Sequence, residues 1–493
     1  MKDKIPFGER VKRMIRSWLN IEPAQPQSFT LMENMTFETE IMRSRLWYRG
    51  DANELMQFFK QLDGDSGSFW KSVPSGSGET VRKIHSGLPE IIVDVLAYIV
   101  KADFNEPKVS SEDWKGISEA VDFIGLIGSA VSQTLICGDG AFKIVVDEGA
   151  EYPSCEFIPA DRVELEMSGG TVKSMTFRTD YRAGGKSYSL FEKYSKGRIE
   201  TSLYTSDGKE AELSAVPELA DINHVIVFDG DYIMGVPLKF YSSPKYSGRG
   251  KSIFSGGKSD CFDALDEVIS QWWDAIRSGR VQKYIPEDMI PRDSVTGTLK
   301  PVDSFGTSFV TVASVLKEGG ETPKIEVVQP EIRYEAFVSS YTNALLMCLQ
   351  GLISPATLGI DVGKMSSGEA QREKKDVTGD TRNTMTSALE KALPRLIEAL
   401  LKTYDNMLGR TVGEYKDISV TFGEYGAPDF DSRVETVGKA GTYGIMSIDT
   451  QVEELWGSSK DDKWKAAEKL RIMHEKGLLE AEPPAVGDEL AKL

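Results

Sequence analysis

The chain has 493 residues, of which 58 are basic and 76 acidic, so its formal net charge is −18 at pH 7. A chain of this length can hold two or three domains and bury a large core. Its charge excludes a protein that grips nucleic acid through a general basic surface, so any DNA contact has to be local or weak. The four cysteines are scattered without a CxxC pair, which is typical of reduced thiols rather than of disulfides or a zinc site.

The N-terminal segment, residues 2–19, predicts a basic amphipathic helix. Its apolar face holds Val11, Met14, Ile15, Trp18 and Leu19. Such a helix can lie on a membrane, but packing on its own or a neighbouring subunit is favoured because the rest of the chain is acidic. The longest apolar runs, such as residues 88–100, are short and carry Glu90 and Asp94, so we expect no membrane-spanning helix and no membrane partner. The chain is expected in a cytoplasm or in a particle assembled there.

Helical and then β-rich patterns fill the first half of the chain. Apolar residues at helical spacing predict helices over residues 36–47, 52–62, 88–100 and 111–137, the last with Ser111 as its N-cap. From about residue 141 to residue 229, short β-rich runs alternate with Gly, Asp and Ser turns. This texture predicts an antiparallel meander.

A long amphipathic helix is predicted over residues 258–280. Its apolar stripe has spacings of three and four and consists of Phe262, Leu265, Ile269, Trp272 and Ile276. At about 100° per residue, a separate acidic face forms, which we expect to be exposed to water: Asp260, Asp263, Asp266, Glu267 and Asp274. The helix ends in cations that complement its dipole, namely Arg277, Arg280 and Lys283.

A second helix of the same kind is predicted over residues 331–352. Its stripe consists of Tyr334, Val338, Tyr341, Leu345, Cys348 and Leu352. Two such helices can pack against each other or against copies in neighbouring subunits. Between them, β-rich runs at 308–315 and 324–328 are joined through Gly319 and Gly320, which predicts a small hairpin at the tip of the helical pair.

Residues 353–367 separate the second helix from a third. Pro355, Gly359 and Gly363 keep this segment from being helical, and Lys364 and Met365 lie at its middle. A loop held between two rigid helices can project inward and meet a ligand. An ordinary surface connection has the same composition, so the residues alone leave both interpretations open.

The third helix is predicted over residues 368–410, with a kink at Pro394. Its stripe consists of Met385, Leu389, Leu393, Leu396, Leu400 and Tyr404. A short strand within residues 413–425 is expected to return to the β-rich region. Further helices are predicted over residues 432–442, 447–455 and 464–476, and the acidic, Pro-containing tail 478–493 is expected to be disordered.

Motifs for catalysis or metal binding are incomplete in this sequence. The GRGKS segment at residues 248–252 lacks the earlier glycine and the buried strand of a phosphate loop, so nucleotide binding is not expected. His85, His224 and His474 each stand without a second ligand at metal-binding spacing, which favours a structural or surface role. We therefore predict no enzyme activity, no cofactor and no metal site.

Five segments, taken in their order, resemble the portal proteins of tailed bacteriophages, specifically those of siphophages of Gram-positive bacteria. They are RSRLWYRGD (43–51), RKIHSGLP (82–89), GDGAFKIVVD (138–147), LDEVISQWWDAIRSGR (265–280) followed by YIPEDMI, and GIMSIDTQVEE (444–454). Each segment is modest alone, but their order is specific. The resemblance spans nearly the whole chain.

The resemblance implies an α+β portal fold and a ring, usually of twelve subunits, around a channel for double-stranded DNA at one vertex of a capsid. It implies a wing at residues 1–257 with a return strand at 413–425, and stem helices at 258–280 and 331–352. It further implies a β-containing clip at 281–330, an inward tunnel loop at 353–367, a long kinked wing helix at 368–410 and an α-helical crown at 428–477.

The same resemblance implies roles for particular residues and partners. Stem packing would fall to Phe262, Leu265, Ile269, Trp272, Tyr341 and Leu345, and the basic end between stem and clip to Arg277, Arg280 and Lys283. Gly359, Gly363, Lys364 and Met365 of the tunnel loop would face DNA, which passes without sequence specificity. The other implied partners are further copies of the chain, the terminase large subunit, the major capsid and scaffolding proteins, and a head–tail adaptor. The ring would be assembled in the host cytoplasm and reside at the virion vertex, where it packages and ejects the genome.

Two other classes of protein remain as alternatives. A head–tail adaptor or baseplate ring protein would need neither an inward loop nor a helical stem. A ring ATPase is disfavoured by the incomplete phosphate loop. A closed ring uses heterologous contacts, for which side-by-side helical faces are suited, and an acidic wall with few cations lets a duplex slide because DNA carries one charge per roughly 1.7 Å.

Overall fold

The computed structural model describes most of the chain and shows an α+β fold. It describes residues 35–62, 67–71, 81–279, 282–286, 309–312, 326–328, 331–360, 368–423, 430–457 and 460–477, with the single positions 8, 295 and 297. The predicted fold class is confirmed, since helices and largely antiparallel sheets occupy separate stretches of the chain. The predicted N-terminal helix at 2–19, the Gly319–Gly320 turn and the tail 478–493 lie outside the described residues.

Helices open the described chain, and side-chain caps fix where the first two begin. They are α1 (Phe37–Arg49), α2 (Ala52–Gln61), α3 (Leu88–Ala102), α4 (Trp114–Ala120) and α5 (Phe123–Cys137). Thr36 accepts a hydrogen bond from the Thr39 amide, and Asp51 accepts from the amide of Asn53.

The single helix predicted over residues 111–137 is wrong, because it is broken between α4 and α5. Asp122 has a φ of 45° there, a left-handed conformation that no helix continues through, and its carboxylate caps α5 through the Gly125 amide. Within the described part of the chain, no helix alone is long and apolar enough to span a bilayer, and α4 with α5 meets that test only as a pair bent by 55°.

Antiparallel strands fill residues 139–239. They are β1 (Asp139–Val145), β2 (Ser154–Pro159), β3 (Val163–Ser168), β4 (Thr171–Ala183), β5 (Lys186–Ser195), β6 (Arg198–Thr205), β7 (Glu210–Ala211), β8 (Val225–Val227) and β9 (Gly235–Lys239). The predicted meander is present from β3 to β7, with β8 paired to β6. In contrast to the prediction, β1 and β2 leave this meander and form a separate sheet of order β2-β1-β9.

A third sheet lies between the two long helices α6 (Gly257–Ser278) and α7 (Tyr334–Leu349). Its strands are β10 (Gln282–Pro286), β11 (Phe309–Val312) and β12 (Glu326–Val328). The predicted hairpin is wrong: β11 and β12 do not pair with each other, because β10 lies between them, parallel to β11 and antiparallel to β12. The central strand is short and ends at a proline, so its sequence gives little strand signal.

The longest helix, α8 (Gly368–Met407), follows a short 3₁₀ helix (Pro355–Leu358) and continues through Pro394. The kink at Pro394 stays a prediction. The predicted stripe is buried at Met385, Leu389, Leu393, Leu396 and Leu400. Tyr404 extends it by stacking on Tyr152, with ring centroids 5.3 Å apart.

The C-terminal region differs from the prediction in one respect. The strand expected to return to the β-rich region instead bridges the segment after α3, through the pairs Phe104–Phe422 and Lys108–Ser419. The three predicted helices are present as α9 (Phe430–Thr442), α10 (Ile448–Trp456) and α11 (Asp462–Glu475). Ser447 caps α10 through the Thr450 amide, as helix-start statistics favour.

One large core joins the N-terminal helices, the β1 sheet and the helices α6 to α8. Trp47 lies at its centre, with the rings of Phe59, Trp70 and Phe262 at centroid distances of 6.2, 6.5 and 6.0 Å. Aromatic side chains of this size bury much apolar surface and prefer such edge-to-face and tilted contacts. Because Phe262 belongs to α6, the core fixes the first half of that helix.

Candidate functional site

The α6 and α7 helices form an antiparallel pair. Trp272 of α6 stacks on Phe337 of α7, with centroids 6.2 Å apart and planes inclined by only 5°, and also contacts Tyr341 at 6.3 Å. At one end of the pair the start of α6 lies against the end of α7, and at the other end Gly279 lies close to Ile332. The pair therefore runs out of the core and carries the β10 sheet at its far end.

Lys258 fastens the core end of the pair. Its ammonium donates hydrogen bonds to the carbonyl oxygens of Met347, Cys348 and Gln350, at 2.7, 3.3 and 2.6 Å. These carbonyls close α7 and have no partner within the helix, so a cation satisfies both their hydrogen-bonding capacity and the helix dipole. Burial lowers the pKa of Lys258, although the carbonyls hold its charge.

The side chains predicted to pack the stem differ in burial along the pair. Phe262, Leu265 and Leu345 are buried in the core, whereas Ile269, Trp272 and Tyr341 are half-buried. Their packing inside one chain is thus described, and a role in contacts between subunits stays a prediction. The two helices also expose apolar side chains to water, with Trp273 and Tyr334 toward the far end 54% and 61% exposed and Met347 near the core end 55% exposed.

The acidic face predicted to be exposed on α6 is wrong at two positions. Asp266 is fully buried and accepts hydrogen bonds from His85 Nδ1 at 2.7 Å and from the Ser86 amide at 2.8 Å. Asp263 accepts from the Phe69 amide at 2.8 Å and from the Ser68 hydroxyl at 3.0 Å. Burial raises the pKa of Asp263 against the effect of these donors. Both carboxylates hold chain segments whose amide groups would otherwise lack acceptors.

His85 joins α6 to α1, a structural position that its sequence context does not reveal. Its Nδ1 faces Asp266, and its Nε2 lies 3.2 Å from the Trp47 carbonyl oxygen. Both neighbouring oxygen atoms can accept a hydrogen bond from a ring N–H group. The structural role favoured for His85 is what the structure shows, but its partner is 181 residues away in the chain, which no local pattern indicates.

The basic end of α6 is described only in part. Arg277 is exposed at the end of the helix, and Lys283 belongs to β10 by its backbone. Arg280 lies outside the described residues. The role of Arg277, Arg280 and Lys283 as a basic end between stem and clip stays a prediction.

The entrance to the predicted tunnel loop is anchored to α8. Thr378 accepts a hydrogen bond from the Ser354 amide at 2.8 Å, and its hydroxyl lies 2.9 Å from that of Thr357. Gly359 follows with a φ of 69°, which favours glycine, and ends the 3₁₀ helix. Gly363, Lys364 and Met365 lie outside the described residues, so the position of the loop in a channel stays a prediction.

The GRGKS segment has a structural role in this fold. Arg249 donates to both carboxylate oxygens of Asp139, at 3.0 and 2.8 Å, and to the carbonyl oxygens of Ala160 and Val163. A Cβ atom at Gly250 would lie 2.1 Å from the Gly138 carbonyl oxygen, so a glycine is required there. The backbone amides of Arg249, Gly250 and Lys251 donate to the Tyr246 carbonyl, the Asp139 carboxylate and the Tyr241 carbonyl, so they are not free to bind a phosphate.

No group of three or more His, Cys, Asp or Glu side chains within the described ranges is arranged to hold a metal ion. The cysteines are free thiols, and burial raises the pKa of Cys137 to about 11 and that of Cys348 to about 12. Thiols in such positions are protonated and unreactive near neutral pH.

Comparison with known proteins gives structural likenesses alone. No protein-family model matches the chain, and no curated protein matches it. A chain in the virion of a native gene transfer agent particle is similar with 12% identity and a TM-score of 0.41, over 89% of this chain and 96% of that chain. Chains in the neck of an empty and of a native gene transfer agent particle, computed with C6 and C12 symmetry, are similar with 13 and 14% identity. Each has a TM-score of 0.39 and spans 75% of this chain and 90% of that chain.

Proposed function

We propose that this chain is the subunit of a bacteriophage portal ring through which double-stranded DNA is packaged and ejected. The observation that carries the proposal is the antiparallel α6–α7 pair, which is rooted in the core and bears a small sheet at its far end. This is the arrangement of stem and clip that the order of sequence segments implies. The order of α6, the β10 sheet and α7 in the structure and the portal-like sequence segments therefore point to the same elements.

Exposed apolar surface on the pair supports assembly into a ring. More than half of the surface is exposed in each of three apolar side chains, Trp273, Tyr334 and Met347. Removing such surface from water would lower the free energy by about 25 cal/mol per Å². Apolar surface exposed along one helical pair supports an interaction site. Copies arranged side by side would cover it by heterologous contacts, and such contacts close into a ring when the rotation between neighbours allows it.

The charge of the chain supports passage of DNA rather than tight binding. At a net charge of −18, a ring repels the phosphates of a duplex over most of its surface. Lys364 of the tunnel loop would contribute one cation per subunit close to the DNA, which is enough for a weak, salt-sensitive contact. A duplex held this way can move along the channel.

The remaining assignments follow from the same proposal. The β10–β12 sheet, at the end of the stem, would face the terminase during packaging and the head–tail adaptor afterwards, and the wing would face capsid and scaffolding proteins. The ring would be assembled in the host cytoplasm and remain at one vertex of the virion. An adaptor ring would not require the long α6–α7 pair, so the portal is the better fit.

Light scattering on the purified chain tests the proposal. We expect a discrete particle whose mass is about twelve times that of one chain, and the Trp273→Asp variant should reduce it to a folded monomer. The proposal would be contradicted if the unmodified chain stayed monomeric at micromolar concentration, both alone and with scaffolding and capsid proteins present.

A further inference from the structure

A groove separates the outer face of α8 from strands β3, β4 and β9. It has a volume of about 840 Å³. Apolar side chains form much of its lining, among them Leu165, Met167, Val172, Leu238 and Ala388. Met167, at an irregular position in the β3–β4 pairing, leaves 42% of its surface exposed. A concave surface with an apolar lining and a few polar groups is the usual form of a binding site.

Two cations, Lys391 and Arg395, lie at the edge of the groove. Lys391 and Arg395 are exposed, lie one turn apart on α8 and form no ion pair with any residue that the structure describes. Like charges four residues apart on a helix repel each other. An anion between them would remove that repulsion.

Other cations of α8 show that this situation is not general. Arg382 forms an ion pair with Asp103 at 3.1 Å, and Lys402 forms one with Glu398 at 2.6 Å. Lys239 adds a third cation to the groove, where its ammonium donates to the Gly248 carbonyl oxygen at 3.1 Å. Asp380 is a single opposing charge on the lining, since Asp139 is already paired with Arg249. The groove therefore favours a ligand that is both apolar and anionic.

We propose that the C-terminal segment of this chain, residues 478–493, binds in this groove. Its sequence, LLEAEPPAVGDELAKL, combines leucines, Val486 and two prolines with four carboxylates and one lysine. The leucines and Val486 cover the apolar lining, and the carboxylates lie against Lys391 and Arg395. The prolines restrict the free segment, so it loses less conformational entropy on binding than another sequence would.

An extended conformation gives the segment a long reach. It begins directly after Gly477, the last described residue, and 16 residues span up to about 50 Å when extended. The acidic segment would occupy the cationic groove of the same chain. The groove is then unavailable to the DNA that the proposed function brings close to the ring.

Photo-cross-linking in the full chain tests this inference. A p-benzoylphenylalanine residue replaces Leu490, and irradiated protein is digested and analysed by mass spectrometry. We expect cross-links to residues 165–172 and 380–395, with Met167 as a favoured acceptor. The same probe at Leu470, an exposed position on α11, is the control and should not reach these segments.

Charge reversal distinguishes a specific contact from proximity. The Lys391→Glu/Arg395→Glu variant should reduce the groove cross-links at least about fivefold, whereas Lys186→Glu/Lys209→Glu, two exposed lysines at β-turns of the meander, should leave them unchanged. A free peptide of residues 478–493 should compete with the cross-link in the unmodified protein, and the same peptide with its four carboxylates changed to amides should not. Cross-links from position 490 that map elsewhere, or yields that neither the variant nor the peptide alters, would overturn the inference.

Discussion

The Nδ1 atom of His85 lies 2.7 Å from Oδ2 of Asp266, and both side chains are buried. Asp266 belongs to α6, and His85 belongs to the extended segment that precedes α3. The contact therefore ties α6, the proposed stem helix, to the segment that leads into α3. A buried carboxylate is held in place only when its donors are present, since an unpaired buried charge is strongly unfavourable.

Removal of this carboxylate should destabilise the whole chain. Asp266→Ala leaves His85 Nδ1 and the Ser86 amide without an acceptor, and we expect a loss of about 3 kcal/mol in the free energy of unfolding. Thermal and urea unfolding measure it. Asp260→Asn, a change at an exposed acid in the first turn of the same helix, should cost less than about 1 kcal/mol. Equal losses in both variants would show that the buried contact has no special importance.

The contacts of Asp263 and Asp266 show which parts of this fold the sequence can predict and which it cannot. The apolar stripes of α6 and α8 repeat within one helix, so periodicity is sufficient to predict them. The burial of Asp263 and Asp266 depends on residues 68–70 and 84–86, which approach α6 only in the folded chain. When α6 is considered alone, these two carboxylates lie on its polar face. They become buried hydrogen-bond acceptors because another segment of the folded chain covers that face.

The β10 sheet and the α4–α5 break have similar explanations. Strands β11 and β12 are recognisable in the sequence as β-rich runs, but both pair with the short segment Gln282–Pro286. Strand pairing depends on contacts between residues distant in the sequence, which local patterns do not indicate. The helix break coincides with the left-handed backbone of Asp122. Within the candidate site, the anchoring by Lys258 is equally non-local, because its acceptors lie near the end of α7.

Two adjacent tryptophans of α6 should separate folding from assembly. Trp272 stacks on Phe337 inside the chain, so Trp272→Ala should lower the free energy of unfolding by about 2 kcal/mol. Trp273 is 54% exposed, so Trp273→Asp should leave the melting temperature of the monomer nearly unchanged and prevent ring formation. Calorimetry and light scattering on both variants check this. Normal rings formed by Trp273→Asp would contradict the proposed contact between subunits.

The buried thiol of Cys137 should make the protein less stable in alkali. Burial raises its pKa to about 11, above the value near 8.5 of an exposed thiol. A raised pKa in the folded state contributes stability that is present below the unfolded pKa and is lost as the pH rises through the folded one. We expect stability to fall between about pH 8.5 and pH 11, and less so in Cys137→Ser. At pH 8, alkylation of Cys137 should require unfolding, and rapid labelling of the folded chain would contradict its burial.

A charge change in the tunnel loop should affect DNA without affecting assembly. Lys364→Glu leaves the α6–α7 contacts untouched, so rings should form normally, but packaged or retained DNA should decrease because a ring of cations is replaced by a ring of anions. DNA content of purified particles measures this effect. Lys186→Glu, on an exposed turn of the meander, is the control with the same change of charge. Full packaging and retention by Lys364→Glu would mean that the loop acts through its shape rather than its charge.

A three-dimensional image of the assembled ring tests the central claim most directly. Electron cryomicroscopy of the purified chain should show a closed ring with a central hole wide enough for a duplex. The α6–α7 pairs should line that hole, with Trp273 and Tyr334 covered by the neighbouring copy. A ring whose α6–α7 pairs face outward, or an open filament in place of a ring, would contradict the assignment of this pair as the wall of a DNA channel.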